Sequence, residues 1–225
     1  IVAFTDNQRA ELLMKSEKAL SSSARSSVSH GPADATWSRS PNNRADDRFP
    51  SIIGESKAIL RLKAAILKAA GTNATVLIQG ESGTGKELIA QAVHDNSPRH
   101  TGPFVAINCG AIPESLMESE LFGYEEGAFT GAKKGGKMGL FEYAHLGTLF
   151  LDEVEAMSPM LQAKLLRVLE DNCIRRIGAK EEKQVNVRII AAVNEDPEGC
   201  VERNKIREDI FYACACCGTI SRSCT

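Results

Sequence analysis

The apolar run Thr75-Val76-Leu77-Ile78-Gln79 leads directly into Gly80-Glu81-Ser82-Gly83-Thr84-Gly85-Lys86-Glu87, and Leu88-Ile89-Ala90 follows. A short run rich in β-branched residues predicts a buried strand, and the apolar residues beyond the loop predict the start of a helix. Between them the glycines let the backbone turn its N–H groups toward a polyphosphate. The helix N-terminus adds its dipole and Lys86 adds a positive charge. A Gly-rich turn at such a junction is sometimes purely structural, but the complete glycine spacing together with the lysine favours phosphate binding. Glu87 stands where a hydroxyl ligand to magnesium is usual, so a metal would rely on phosphate oxygens, water and an acidic residue elsewhere.

Further strands are expected at Phe104–Ile107, Thr148–Leu151 and Val187–Val193. Helical stretches such as Met160–Leu169 separate them, and Ile59, Leu60, Leu62, Ile66 and Leu67 mark one helix face ahead of the loop. Strands alternating with helices predict an α/β fold with a parallel sheet covered on both faces. The run Thr148-Leu149-Phe150-Leu151 acquires polar residues only at its carboxyl end, as Asp152 and Glu153, where open α/β sheets bind ligands. Asp152 is placed to hold a Mg2+ shell and Glu153 to orient and polarise an attacking water. Acidic pairs also start ordinary loops, and only the phosphate loop upstream favours the catalytic reading.

Residues 21–50 are dominated by Ser, Asn, Asp, Arg and Pro and bury too little apolar surface to offset the entropy of ordering, so they read as a flexible linker. Before them, Glu11–Leu20 reads as a connecting helix. A net charge of −2 offers no basic surface for nucleic acid. No apolar run approaches the length of a membrane helix, so no membrane contact and a cytoplasmic location are expected. Cys109, Cys173 and Cys200 are scattered singly and read as reduced thiols; four more cysteines crowd the last twelve residues.

Between the phosphate loop and the acidic strand end lies Glu120-Leu121-Phe122-Gly123-Tyr124-Glu125-Glu126-Gly127-Ala128-Phe129-Thr130-Gly131-Ala132. Small residues flanking one aromatic and one hydroxyl suit a mobile contact turn, with Phe129 and Thr130 at its apex. The GAFTGA hexapeptide, with ESELFG before it, resembles the signature of bacterial sigma-54-dependent transcription activators within the AAA+ ATPases. The resemblance runs from about Ser51 to Tyr212 through the phosphate loop, GAFTGA, the acidic strand end and REDIFY, in that order.

That resemblance implies an AAA+ P-loop ATPase using ATP and Mg2+. Gly80, Glu81, Ser82, Gly83, Thr84, Gly85, Lys86 and Glu87 would cradle the phosphates, and Ile53 and Gly54 would line the adenine pocket. It implies that Gly127, Ala128, Phe129, Thr130, Gly131 and Ala132 engage the sigma-54 RNA polymerase holoenzyme and remodel it toward the open complex. Asn108 would pair with Glu153, although a buried, satisfied asparagine is an equal reading of the residue alone. Asn194 would sense the terminal phosphate, with Val193 standing where the family often has Thr. Arg207 would be supplied in trans within a homo-oligomeric ring; a surface salt bridge with Glu208 or Asp209 is its plain alternative.

Six positions beyond Arg207 the family carries a second arginine, where this sequence has Ala213. From there ACACCGTISRSCT shows no resemblance, and residues 213–225 are expected to be an aberrant tail from a shifted reading frame. A zinc site among Cys214, Cys216, Cys217 and Cys224 is disfavoured by their spacing and by the lack of His. The expected organisation is therefore the end of a PAS-like regulatory region and a connecting helix over 1–20, the linker over 21–50, the ATPase core over 51–212 and the tail. A helical lid and a C-terminal DNA-binding domain are expected to be missing. The alternative for such a chain is a fragment that binds nucleotide or sigma-54 without hydrolysis.

Overall fold

The computed structural model describes residues 2–3 and 48–215. The expected connecting helix over 11–20, most of the linker, and Cys216, Cys217 and Cys224 lie outside the described residues.

Among the described residues, five parallel strands form the central sheet: β1 (Val2–Ala3), β2 (Val76–Gln79), β3 (Phe104–Asn108), β6 (Thr148–Asp152) and β9 (Arg188–Val193), in the order β1-β2-β9-β6-β3. Alternation along each strand divides the core in two. Leu77, Ile107, Leu149, Leu151, Ile189, Ala191 and Val193 join one buried cluster. Ile78, Phe150, Ile190 and Ala192 join the other. Since both faces are covered, the strands read as continuous apolar runs, and their polar chemistry is confined to their ends.

Helices α1 (Lys57–Ala70) and α2 (Lys86–Asp95) cover the second cluster through Ile59, Leu62, Ile66, Ile89 and Val93. The first cluster is covered by α3 (Glu114–Phe122), α4 (Leu140–Tyr143), α5 (Pro159–Asp171), α6 (Pro197–Glu202) and α7 (Glu208–Ala215). The described residues also form two small antiparallel pairs, β4 (Gly123–Tyr124) with β5 (Lys137–Met138), and β7 (Cys173–Ile174) with β8 (Lys183–Gln184). Among the described residues, no helix is long and apolar enough to cross a membrane.

Several expectations shift. The buried stripe of α1 is Ile59, Leu62, Lys63, Ile66 and Ala70, whereas Leu60 is exposed because one residue of helix rotates it out of that stripe. Phe49, assigned above to the linker, is 3% exposed and packs with Ile52, and the Lys63 ammonium stands 5.8 Å from its ring centroid. The folded core therefore begins before Ser51. At the other end α7 continues past Tyr212, and Cys214 is buried in the first cluster, so at least the start of the supposed tail belongs to the core. A lone phenylalanine in a polar stretch, and a helix turn composed of Ala and Cys, carry no periodicity that reveals this.

The lower edge of the sheet is held by close backbone crossings. A Cβ on Gly147 would collide with Pro103 O and come within 2.7 Å of Pro103 Cδ, while Thr148 N donates to Pro103 O at 2.8 Å. Gly147→Ala is therefore expected to destabilise the fold by about 1–3 kcal/mol through forced backbone movement. A lowered urea midpoint with an unchanged m-value checks this.

Candidate functional site

The carboxyl ends of β2, β9, β6 and β3 lie in that spatial order and deliver, in a row, the phosphate loop, Asn194, Asp152 with Glu153, and Asn108. Gly80 N donates to Val193 O at 3.1 Å, so the loop leaves β2 tied to β9. Gly83 and Gly85 take φ of +77° and +83°, a region that side chains other than glycine's rarely adopt. Thr84 is buried and its Oγ1 donates to Glu81 O at 2.7 Å, closing the turn from inside. Gly85 caps α2 without a side-chain bond, so the first N–H groups of that helix remain for an anion. Glu81, Ser82 and Glu87 are exposed.

Lys86 is 4% exposed, yet its ammonium is fully served. Nζ donates to Gly80 O at 3.0 Å, Glu81 O at 3.1 Å and Asn194 Oδ1 at 2.6 Å, and lies 3.8 Å from Asp152 Oδ1. One side chain thus gathers the phosphate loop, the end of β9 and the end of β6.

Asp152 Oδ1 also accepts the Glu153 N–H at 3.0 Å. Glu153 adopts φ 55° and ψ 49°, a left-handed conformation that costs a non-glycine residue about 1–2 kcal/mol. Strain of this kind is held where the surrounding structure demands a particular side-chain direction. The Glu153 carboxylate is aimed at the turn after β3, where a Cβ on Gly110 would strike its Oε2 and come within 3.3 Å of Asn108 Oδ1. Asn108 is the last residue of β3, not a residue beyond it, and its Oδ1 caps the following turn by accepting the Ala111 N–H at 3.0 Å. Asn108 and Glu153 therefore flank Gly110, with the asparagine oxygen engaged locally.

Glu155, which sequence reasoning passed over, accepts the Asn194 N–H on Oε1 at 2.8 Å, while its Oε2 is buried without a hydrogen-bond partner. Burial pushes its carboxyl above the usual range. Burial, reinforced by Asp152, Glu155 and Glu153, likewise pushes the Cys109 thiol up to about 12. This cysteine is a packed thiol beside an acidic site and not a nucleophile. Among the described residues, no group of three or more His, Cys, Asp or Glu side chains is arranged to hold a metal.

Ile53 and Gly54 precede α1. It is Ile52 that enters the core, while Ile53 is 54% exposed and Gly54 has φ +139°. Arg207 immediately precedes α7. Its guanidinium makes a two-bond pair with Asp209, at 3.0 and 2.6 Å, and both side chains are exposed. This is the plain alternative anticipated for Arg207, and the pair raises the guanidinium's pKa.

The GAFTGA residues form an excursion between β4 and β5. Gly127, Phe129, Thr130 and Gly131 are exposed, and Ala128 and Ala132 are half-buried. Gly127 and Gly131 take φ of +75° and +95°, bounding the apex with turns that only glycine makes without strain. Phe129 is 45% exposed and touches buried Tyr124 edge-on, with ring centroids 4.9 Å apart. A contact of this type is worth about 0.5–1.5 kcal/mol, a weak latch.

The base of the excursion is held by residues with no sequence signal. Glu142, whose side chain is 2% exposed, accepts from Arg176 Nε at 2.6 Å and Nη2 at 2.9 Å and pairs with Lys183. Burial opposes its ionisation, but hydrogen bonds from Arg176 and Lys183 hold its carboxyl below the usual range. Arg176 Nη1 reaches Glu125 Oε1 at 3.1 Å, and Glu125 N donates to Ile177 O at 3.0 Å. These bonds tie the root of the GAFTGA turn to the β7–β8 pair.

With this geometry in place, comparison with known proteins is specific. The model of the Sigma-54 interaction domain matches residues 52–218. A signal-transduction and transcriptional-control protein of Clostridium beijerinckii is 58% identical over 76% of this chain and 27% of its own length. A Nif-specific regulatory protein of Azotobacter vinelandii is 55% identical over 72% of this chain and 31% of its own length. The chain thus spans less than a third of either relative. The crystal structure of NtrX from Brucella abortus, also solved with ADP and with ATP, has a TM-score of 0.67 at 35% identity over 91% of this chain. The apposed lysine and acidic strand ends, the exposed aromatic loop and these likenesses lead to one conclusion: the chain belongs to the Sigma-54 interaction domain family, the AAA+ P-loop NTPase core of sigma-54-dependent transcriptional activators.

Proposed function

We propose that this domain hydrolyses ATP with Mg2+ and uses the energy to move the GAFTGA loop against the sigma-54 RNA polymerase holoenzyme, driving open-complex formation. The observation that carries this reading is the convergence of Asn194 and Asp152 on Lys86, in a chain whose Phe129 loop stands exposed on a hydrogen-bonded base.

The residues fit the nucleotide. The uncapped start of α2 and the glycine turn offer backbone N–H groups to phosphate oxygens. Magnesium fits as an ion held mainly by phosphate and water, with Asp152 as its protein contact, since no wider acidic cluster is present among the described residues. When bound, the metal nucleotide would supply the transferable phosphoryl group and neutralise the charge that develops on it.

Lys86 then exchanges its loop carbonyls for phosphate oxygens, and Asn194 is left to read the terminal phosphate. Glu153, held in its strained conformation, orients and polarises the attacking water. Arg207 is offered to the nucleotide of a neighbouring copy in a ring. Its exposed pair with Asp209 is of the kind worth roughly 0–1 kcal/mol, so exchange of partners is cheap. Ile53, exposed ahead of α1, meets the base. At the loop, release of Phe129 from Tyr124 frees the aromatic tip for the partner, while Arg176, Glu142 and Glu125 hold the root.

Lys86→Ala is expected to abolish ATP binding in a fluorescent-nucleotide titration. Glu153→Gln should retain binding while turnover falls about 10²–10⁴-fold, the range of a lost general base. Equal loss of binding in both variants would contradict these roles. Gly110→Ala should fold, because the atom its Cβ meets is the far end of a flexible side chain. By displacing the Glu153 carboxylate it should lower kcat by up to about 10²-fold with ATP affinity nearly unchanged. Phe129→Ala should lose capture of sigma-54 in pull-downs with a transition-state analogue while retaining ATP affinity; undiminished capture would remove the loop from the mechanism.

A further inference from the structure

Gln162, on the first turn of α5, is 1% exposed, and its amide has a partner for every polar atom. Nε2 donates to Met157 O at 3.0 Å and to Lys205 O at 2.7 Å, and Oε1 accepts the Arg207 N–H at 2.9 Å. Two carbonyls and one N–H are met by two donors and one acceptor, a set that among neutral side chains only a primary amide offers. A carboxylate here would face two carbonyl oxygens, and an apolar side chain would leave three backbone groups without this partner, the Met157 carbonyl in a buried setting.

These partners belong to two different parts of the site. Met157 closes the 3₁₀ turn Val154–Ala156, whose preceding residue is Glu153. Lys205 and Arg207 bracket buried Ile206 and lead into α7, where Phe211 N donates to Arg207 O at 3.0 Å. Lys205 N and Ile206 N also donate to Cys200 O on α6, and Lys205 Nζ pairs with Glu195 Oε1 at 2.6 Å. The backbone of Arg207 is thus pinned by a bond to the buried Gln162 side chain, while its guanidinium is exposed and held only by a surface pair.

We propose that Gln162 is a positioning residue that couples the turn carrying Glu153 to the segment presenting Arg207. A displacement of the acidic strand end in one copy is thereby passed to the arginine offered to its neighbour. The proposal rests on the ATP-binding reading above.

Hydrogen–deuterium exchange on the 225-residue chain, with and without a non-hydrolysable ATP analogue, tests this by following the amides of residues 205–211. Binding of the analogue to the wild-type chain should change their exchange by about 3- to 10-fold, the factor one hydrogen bond carries in a local opening. Gln162→Met fills the volume without the amide, and Gln162→Asn keeps the amide with a shorter reach. Both should bind the analogue within about twofold of wild type, since neither touches the phosphate loop, yet show no nucleotide-dependent change at 205–211. A merely structural amide would speed basal exchange and leave that response intact. Persistence of the response in both variants, or its absence in a wild-type chain that binds the analogue, would overturn the coupling. So would loss of the folded state in both variants. Failure of the wild-type chain to bind the analogue at all is a separate result, which overturns the ATP-binding reading and the coupling with it.

Discussion

A buried ammonium requires three acceptors, and the burial of Lys86 organises the site around that requirement. Gly80 O, Glu81 O and Asn194 Oδ1 supply them, with Asp152 as the nearest charge. Because these groups lie on the loop after β2 and at the ends of β9 and β6, the lysine joins three neighbouring strand ends through one atom. The arrangement follows from a parallel sheet covered on both faces, whose strand interiors admit only apolar side chains. Polar groups are expelled to the strand ends, and at the carboxyl ends the helix N-terminus adds its own field.

The same economy of fixed roots and free tips appears away from the phosphate loop. Phe129 and Arg207 are both exposed, both rest on weak local contacts, and both stand on a base secured by a buried polar side chain. Glu142 with Arg176 secures the aromatic loop, and Gln162 secures the arginine. A buried polar network of this kind holds one arrangement because any alternative leaves a charge or an amide unpaired. The tips carry no such penalty and can change partners.

How much of this was legible beforehand depended on the type of signal. The strands, the phosphate loop, the acidic strand end and the excursion around GAFTGA were readable because each follows from local pattern: alternation, glycine spacing, a polar switch at a strand end. The misplacements were those that local pattern does not govern. Leu60 shares the hydropathy of its helix neighbours but not their direction. Phe49 sits in polar surroundings in the chain and apolar ones in space, and Cys214 lies in a stretch whose composition resembles nothing helical. Glu142, Arg176, Glu155 and Gln162 had no visible motif, since each acts through partners from 5 to 51 positions away.

The amino-acid sequence by itself determined the parallel α/β core and the chemistry available at its edge, because burial periodicity and the left-handed glycine turns are local properties of the chain. Tertiary structure alone decided which oxygens meet Lys86, that Asn108 caps its own turn beside the Glu153 carboxylate, and that Arg207 rests on Asp209. Those outcomes depend on distances between segments remote in sequence. Hydrogen bonding, steep in both distance and angle, resolves them only once the sheet has set its strand order.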